Sequence, residues 1–257
     1  MAQSTIRIAF VTGAAQGIGE AIALRLADDG LDVAVNDIAS KGRELAAVVN
    51  AIEAKGRRAI AVPGDVSSEE ETIAMIDKVV EVLGGLDVMV ANAGILRISS
   101  LLSTSVEDWE TTMAINVRGV MLSFKHAARQ MIKQGRGGRI IAACSAAGKR
   151  ASPDVAAYSA SKFAVRGLTQ SAALELAKYD ITVNSYAPGA IVTPMISRPD
   201  DAVNGGAGST ILKSFGLPNV PTADPSVIAG LVSYLVKPEA YFVTGQCINI
   251  DGGGVFD

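Results

Sequence analysis

The sequence predicts an α/β fold built on an open parallel sheet, and three observations predict it. Short runs recur that are apolar at nearly every position, the pattern of strands buried on both faces. Helical periods follow them in alternation. The residues suited to chemistry, Gly13, Asp37, Asn92 and Ser145, fall just after such runs, at the strand ends where open sheets bind ligands. A length of 257 residues with 49% hydrophobic composition fits one domain with a large core.

The first run, Ile6 to Val11, leads into Thr12-Gly13-Ala14-Ala15-Gln16-Gly17-Ile18-Gly19 and a helical pattern ending at Gly30. Glycines let a backbone turn tightly and approach a pyrophosphate, whose charge is favoured by the N–H groups and dipole at the helix start. Val33 to Asn36 is the second strand and ends at Asp37. A carboxylate there accepts from the adenosine ribose of NAD and repels the extra phosphate of NADP. The glycine loop also lacks a cation for a second phosphate, so the pattern favours NAD.

A helix from about Lys41 to Lys55 precedes a third strand, Ala59 to Val62, which leads to Asp65-Val66. Asp65 lies at the ligand edge, facing either adenine or solvent. Ser67-Ser68-Glu69-Glu70 supplies an N-cap and an acidic first turn for a helix to about Leu83. Leu86 to Ala91, the fourth strand, ends in Asn92-Ala93-Gly94, small residues that suit either a close-lying cofactor or a tight turn. The helix from about Val106 is expected to carry Trp109, Met113, Ile115 and Val117 inward, with Asn116 as a polar residue that loosens it locally.

Arg139 to Ala143 is the fifth strand; beyond it, alternation sends Cys144 into the core and places Ser145 where its hydroxyl donates to a substrate carbonyl. A long helix to about Tyr179 carries Tyr158 and Lys162. Ile181 to Tyr186 is the sixth strand, followed by Pro188-Gly189 and by Ile191, Val192 and Thr193. Arg198 to Gly208 shows no periodicity and is expected to be an irregular lid segment, mobile in its middle, whose apolar flanks cover a pocket. A helix from Asp224-Pro225 to about Val236 and a seventh strand, Gln246 to Ile250, complete the pattern.

The four-residue step from Tyr158 to Lys162 puts both on one helix face. Lowering a phenol pKa from near 10 to about 7 requires ~4 kcal/mol. One positive charge at about 4 Å and effective dielectric about 20 supplies that much. The pair therefore predicts an acid and base.

Composition excludes other classes. A net charge of -3 without a basic block lacks the footprint of a nucleic-acid binder. Cys144 and Cys247 have no metal-ligand spacing around them, so no metal is expected. His126, the single histidine, reads as a solvated helix position. The start of the chain lacks a signal-peptide pattern and no apolar run reaches membrane-spanning length, so a cytoplasmic location and no membrane partner are expected.

Thr12-Gly13-x-x-x-Gly17-x-Gly19, Asn92-Ala93-Gly94, Asn116, Ser145, Tyr158-x-x-x-Lys162 and Pro188-Gly189-x-x-x-Thr193 match, in order and spacing, the motifs of the short-chain dehydrogenases/reductases. The sequence resembles that family along essentially its whole length. Ala91 departs from it, standing where the family commonly has a second asparagine. The resemblance implies a single Rossmann-type domain over residues 1–257, a doubly wound parallel sheet of about seven strands with helices on both faces, and a substrate lid at about 190–220. It implies hydride transfer between NAD(H) and an alcohol or carbonyl carbon of a small molecule.

Carried onto this chain, the resemblance makes Tyr158 the general acid/base and Lys162 the group that lowers its pKa and holds the nicotinamide ribose. Ser145 would orient the carbonyl, and Asn116 would hold a water linking Lys162 to solvent. Thr193 and the backbone of Ile191 would position the carboxamide. The rest of the cofactor would lie along Gly13, Gln16, Gly17, Ile18, Gly19, Asp37, Asp65, Val66, Asn92, Gly94, Pro188 and Gly189. A homotetramer built through the helices at Met113 to Lys133 and Val155 to Tyr179 is also implied.

In Asn36-Asp37-Ile38 and in Ser159 to Gln170 the sequence is similar to NAD-dependent diacetyl (acetoin) reductases and butanediol dehydrogenases within that family. This points to a small ketone such as diacetyl or acetoin, with a cyclic or terpenoid secondary alcohol as the alternative. A non-catalytic NAD sensor would need none of Ser145, Tyr158, Lys162 and Asn116. An NADP-dependent acyl-carrier reductase is disfavoured by Asp37.

Overall fold

Alternation along the first strand already divides the core into two layers. In β1 (Ile8–Val11) Ala9 and Val11 face one side, Ile8 and Phe10 the other, and all four are buried. The computed structural model describes residues 7–217 and 219–256, so Ile6, where the first strand was expected to begin, lies outside the described residues. The further strands are β2 (Asp32–Val35), β3 (Ala59–Ala61), β4 (Val88–Ala91), β5 (Gly138–Ala143), β6 (Ile181–Pro188), β7 (Ala190–Ile191), β8 (Thr222–Ala223) and β9 (Cys247–Ile250). Seven of them form one sheet in the order β3-β2-β1-β4-β5-β6-β9, with every neighbouring pair parallel.

The helices are α1 (Gly17–Asp28), α2 (Gly42–Glu53), α3 (Glu69–Leu83), α4 (Val106–Met113), α5 (Gly119–Gln134), α6 (Ala156–Leu176), α7 (Asp201–Asn204), α8 (Ser209–Ser214) and α9 (Ser226–Leu235). Ile22 and Leu26 of α1, Leu45 and Ile52 of α2, and Val232 of α9 cover one sheet face. Ile76 and Val79 of α3, Phe124 and Met131 of α5, and Val165 of α6 cover the other. At about 1.5–3 kcal/mol for each such large side chain taken from water, these two layers are the main force holding the sheet. The result is the doubly wound α/β sheet that the sequence predicts.

Strand order reverses between β1 and β4, because the chain winds outward to β3 before returning to the other side of β1. A crevice opens at such a switch point, beyond the carboxyl ends of the strands. One buried charge secures the outer part of this half. Asp32, at the start of β2, is fully buried and accepts from Arg57 Nη2 at 2.6 Å, Arg58 Nε at 2.7 Å and Arg58 N at 3.1 Å. Burial pushes its carboxyl up, but the bonds from Arg58 and Arg57 outweigh that and hold it below its usual range.

Three details differ from the sequence reading. Trp109 is 40% exposed; Thr112, Asn116 and Val120 are buried, and Ile115 packs against the core as expected. Asn116 is held inside by the hydrogen bonds of its amide. His126 is buried rather than solvated, packed toward α3 with Nε2 2.9 Å from Glu69 Oε1. The segment Arg198 to Gly208 is not irregular: it contains α7 and runs directly into α8.

Candidate active site

The glycine turn after β1 forms the floor of a cleft of about 390 Å³. Gly13 and Gly17 adopt φ of +63° and +62°, and a Cβ on Gly13 would stand 2.8 Å from the Cα of Ala93. Only glycine fits there. Gln16, at the N-cap of α1, makes no side-chain bond to the first helical turn, which leaves its N–H groups for an anionic ligand. Asn92 is the fastener of this turn: Nδ2 donates to Thr12 O at 2.8 Å and Gly13 O at 3.0 Å, while Oδ1 accepts from Tyr186 Oη at 2.7 Å.

Along the cleft lie Gly13, Gln16, Gly17, Ile18, Gly19, Asp37, Asp65, Val66, Asn92, Gly94, Tyr158, Lys162, Pro188 and Thr193. Asp37 turns its carboxylate back to the glycine turn, with Oδ2 accepting from Ala15 N at 3.3 Å and Oδ1 from Ile38 N at 2.9 Å. Asp65 is exposed at the far end, where Oδ1 accepts from Ser67 N. The shape, the glycine cradle and the uncapped helix start fit a dinucleotide. Gly189 and Ile191 lie instead on the wall of the neighbouring cavity, because the chain turns there from β6 into β7.

Tyr158 and Lys162 line the cleft, and Ser145 stands beside Tyr158 on the wall of the adjoining cavity. Tyr158 and Lys162 share one face of α6, and the ammonium sits 5.5 Å from the centre of the phenol ring. Lys162 Nζ donates to Ala143 O at 2.8 Å, so the end of β5 fixes it. The Tyr158 hydroxyl lies next to Ser145, whose side chain favours the ionised phenol. Ser145 is itself set by Ala147 N, which donates to its Oγ at 3.1 Å at the start of a short 3₁₀ turn.

The electrostatics differ from the sequence estimate. Burial pushes Tyr158 up to about 12, against the effect of Ser145, and burial lowers Lys162 to about 8. Loss of water therefore outweighs the effect of Ser145 at the phenol and holds Tyr158 as the acid. The Cys144 thiol lies behind the pair and donates to Lys162 O at 3.3 Å.

Asn116 lines neither cavity. It sits in a π-helical turn (Ala114–Arg118) between α4 and α5, where Nδ2 donates to Ile95 O at 2.9 Å and Ser161 Oγ at 3.1 Å and Oδ1 accepts from Ile95 N at 2.9 Å. Such turns concentrate at functional sites. A Cβ on Gly94 would meet both Asn116 Oδ1 at 3.2 Å and Lys162 Nζ at 3.4 Å, so the loop after β4 is pressed between them. Ser161, which the sequence reading passed over, joins this set by donating to Tyr158 O at 2.6 Å.

A second cavity, of about 200 Å³, adjoins the cleft, and Ile18, Tyr158, Pro188, Thr193 and Met195 line both. Ser145, Leu96, Val155, Ile191, Ile211, Leu212 and Phe215 complete much of its wall. Several of these belong to the segment that leaves β7 and returns at β8. One carboxylate organises that segment: Asp201 accepts from the N–H groups of Arg198 at 2.9 Å, Gly208 at 2.7 Å and Thr210 at 3.0 Å. No local pattern announces such a hub, since its partners are three to nine residues away in an aperiodic stretch.

These bonds, that of Arg198 foremost, lower Asp201 to about 2 from 3.8. The ordering it contributes is complete above 3.8 and is lost as pH falls through about 2. Asp201→Asn puts an amide where three donors converge. The expected result at neutral pH is faster cleavage of residues 198–210 by a broad-specificity protease, with NADH binding unchanged. Equal protease resistance would show that the segment holds its shape without the carboxylate.

Among the described residues no group of histidine, cysteine or acidic side chains could hold a metal, and no helix is long and apolar enough to cross a membrane. The family model described as short chain dehydrogenase matches residues 7–203. A short-chain dehydrogenase/reductase of Armillaria gallica is 50% identical over 254 residues, covering 98% of this chain and 97% of that protein. The L-2,3-butanediol dehydrogenase of Corynebacterium glutamicum is 40% identical over 260 residues, covering 98% and 99%. Among solved structures, a short chain dehydrogenase from Burkholderia cenocepacia in complex with NADP superposes with a TM-score of 0.85 at 40% identity, covering 96% of this chain and 97% of that one. Likeness on this scale, in sequence and in architecture together, makes the chain a member of the short-chain dehydrogenase family.

Proposed function

We propose that the protein interconverts a secondary alcohol and its ketone using NAD(H), with Tyr158 as general acid and base. The observation that carries this reading is the position of Tyr158, beside Ser145 and among the residues that line both the dinucleotide cleft and the adjoining apolar cavity. A nicotinamide, when bound, supplies or takes up the hydride; the glycine turn, Asp37 and Lys162 would hold its dinucleotide. Ser145 positions the ketone oxygen and Tyr158 gives it a proton. Lys162, fixed beside the ring, stabilises the phenolate left behind, and Asn116 keeps the Ile95 loop and the Tyr158 turn in register. Because burial keeps the phenol protonated, reduction runs well at neutral pH and alcohol oxidation gains as pH rises.

Two substrate readings share this chemistry. Likeness to a butanediol dehydrogenase supports a small hydroxyketone or diketone. The cavity supports a cyclic apolar ketone through its lid side, which includes Met195, Ile196, Ile211, Leu212 and Phe215, while its polar side chains, Arg150, Ser152 and Asp251 among them, stand on the other walls. Cavities of about 150 Å³ already hold a benzene-sized ligand, so this one of about 200 Å³ exceeds the need of a four-carbon diketone. The geometry thus supports a ring ketone best. Outward-facing Met121, Phe163 and Leu174 on α5 and α6 support assembly of a homotetramer through those helices.

The test is NADH oxidation against diacetyl, acetoin, cyclohexanone and a panel of cyclic terpenoid ketones. Higher kcat/KM for the rings is expected. A clear preference for diacetyl would return the substrate to the small carbonyls, and no oxidation with any ketone would remove the proposal.

A further inference from the structure

Building on the reading of the apolar cavity as the substrate site, one of its walls has no part in the roles assigned above. The turn after β9 contributes Asp251, Gly254 and Val255 to the lining. Its backbone is held at every step. Asp251 Oδ1 accepts from Gly253 N at 3.0 Å and Oδ2 from Val255 N at 2.8 Å. Asn249 Nδ2 donates to Val255 O at 2.7 Å, and Arg150 Nη2 donates to Gly254 O at 3.3 Å.

Packing removes the remaining freedom. A Cβ on Gly189 would stand 2.8 Å from the Cα of Asp251, and one on Gly252, at φ +65°, would stand 2.6 Å from Pro221 Cγ. The turn is therefore wedged between the end of β6 and the returning limb of the lid. Both backbone polar groups of Val255 are engaged, so what it offers the cavity is its isopropyl group.

We infer that Val255 is a specificity-determining residue, which sets the size of ring the cavity accepts. The turn does for this wall what a packed core does for a side chain: it prevents the backbone from yielding to a larger ligand. A rigid wall makes each methyl group on it count, and a single methylene in a hydrophobic pocket discriminates by about tenfold or more. The neighbouring Phe256 is 85% exposed and takes no part.

The experiment uses cyclohexanol and decahydro-2-naphthol, titrated calorimetrically into the enzyme saturated with NADH, where an alcohol binds without turnover. Val255→Ala should shift the ratio of the two affinities toward the bicyclic alcohol by about tenfold, and Val255→Leu should shift it toward cyclohexanol. Phe256→Ala should leave the ratio unchanged. If one Val255 variant does not fold, the other decides alone. A ratio that stays at the parent value in the Val255 variants overturns the inference while leaving the proposed reaction intact. Failure of the underlying reading looks different: the parent then binds neither alcohol and reduces no ketone, and the inference falls with it.

Discussion

Replacing Tyr158 by phenylalanine is expected to lower turnover by at least about a hundredfold while NADH binding stays nearly intact. The change deletes one hydroxyl, the group beside Ser145, and keeps the ring near which Lys162 sits. Since Lys162 is also tied to Ala143 O at 2.8 Å, its position does not depend on the missing oxygen. The loss should therefore appear in kcat and not in the NADH dissociation constant, measured by quenching of protein fluorescence. A variant that keeps most of its turnover would take the proton-transfer role away from Tyr158.

Asp37→Ser combined with Ile38→Arg should reverse the choice of cofactor. The Asp37 carboxylate lines the cleft close to the glycine turn, and Ile38 beside it is 52% exposed, so a longer cation there has room. A dianionic phosphate a few ångströms from the carboxylate costs several kcal/mol at effective dielectric about 20, or at least about a hundredfold in preference. The measurement is the ratio of kcat/KM for NADH and NADPH in both proteins. The Burkholderia cenocepacia relative is in complex with NADP, so membership of the family does not by itself decide this ratio. Equal use of both cofactors by the unmodified protein would mean that Asp37 does not meet the ribose.

The parts of the fold legible in the sequence are those governed by local periodicity. Strands buried on both faces show as unbroken apolar runs, and Tyr158 and Lys162 could be paired because one helical turn joins them. The glycine turn was legible for a similar reason, since its φ values above zero are written in glycines. What stayed hidden depends on partners distant in sequence. His126 is buried because Glu69, 57 residues earlier, reaches it. Asn116 takes a buried position through bonds to Ile95 and Ser161 that no hydrophobic pattern encodes. Val255 reaches the cavity only because β9 lies beside β6.

The pairing of β7 with β8 has a wider consequence. Ala190 lies beside Thr222 and Ile191 beside Ala223, and Val192 N donates to Ala223 O at 2.9 Å, so the excursion from Val192 to Pro221 leaves and returns at the same short parallel ladder. For a loop whose ends are pinned together, the entropy of closure grows slowly, by only about 0.6 kcal/mol for each doubling of length. Changes of length inside it therefore cost little in closure entropy. Lineages carrying this arrangement can exchange the excursion as a cassette, and so diverge in what they recognise while inheriting the proton-transfer residues unchanged.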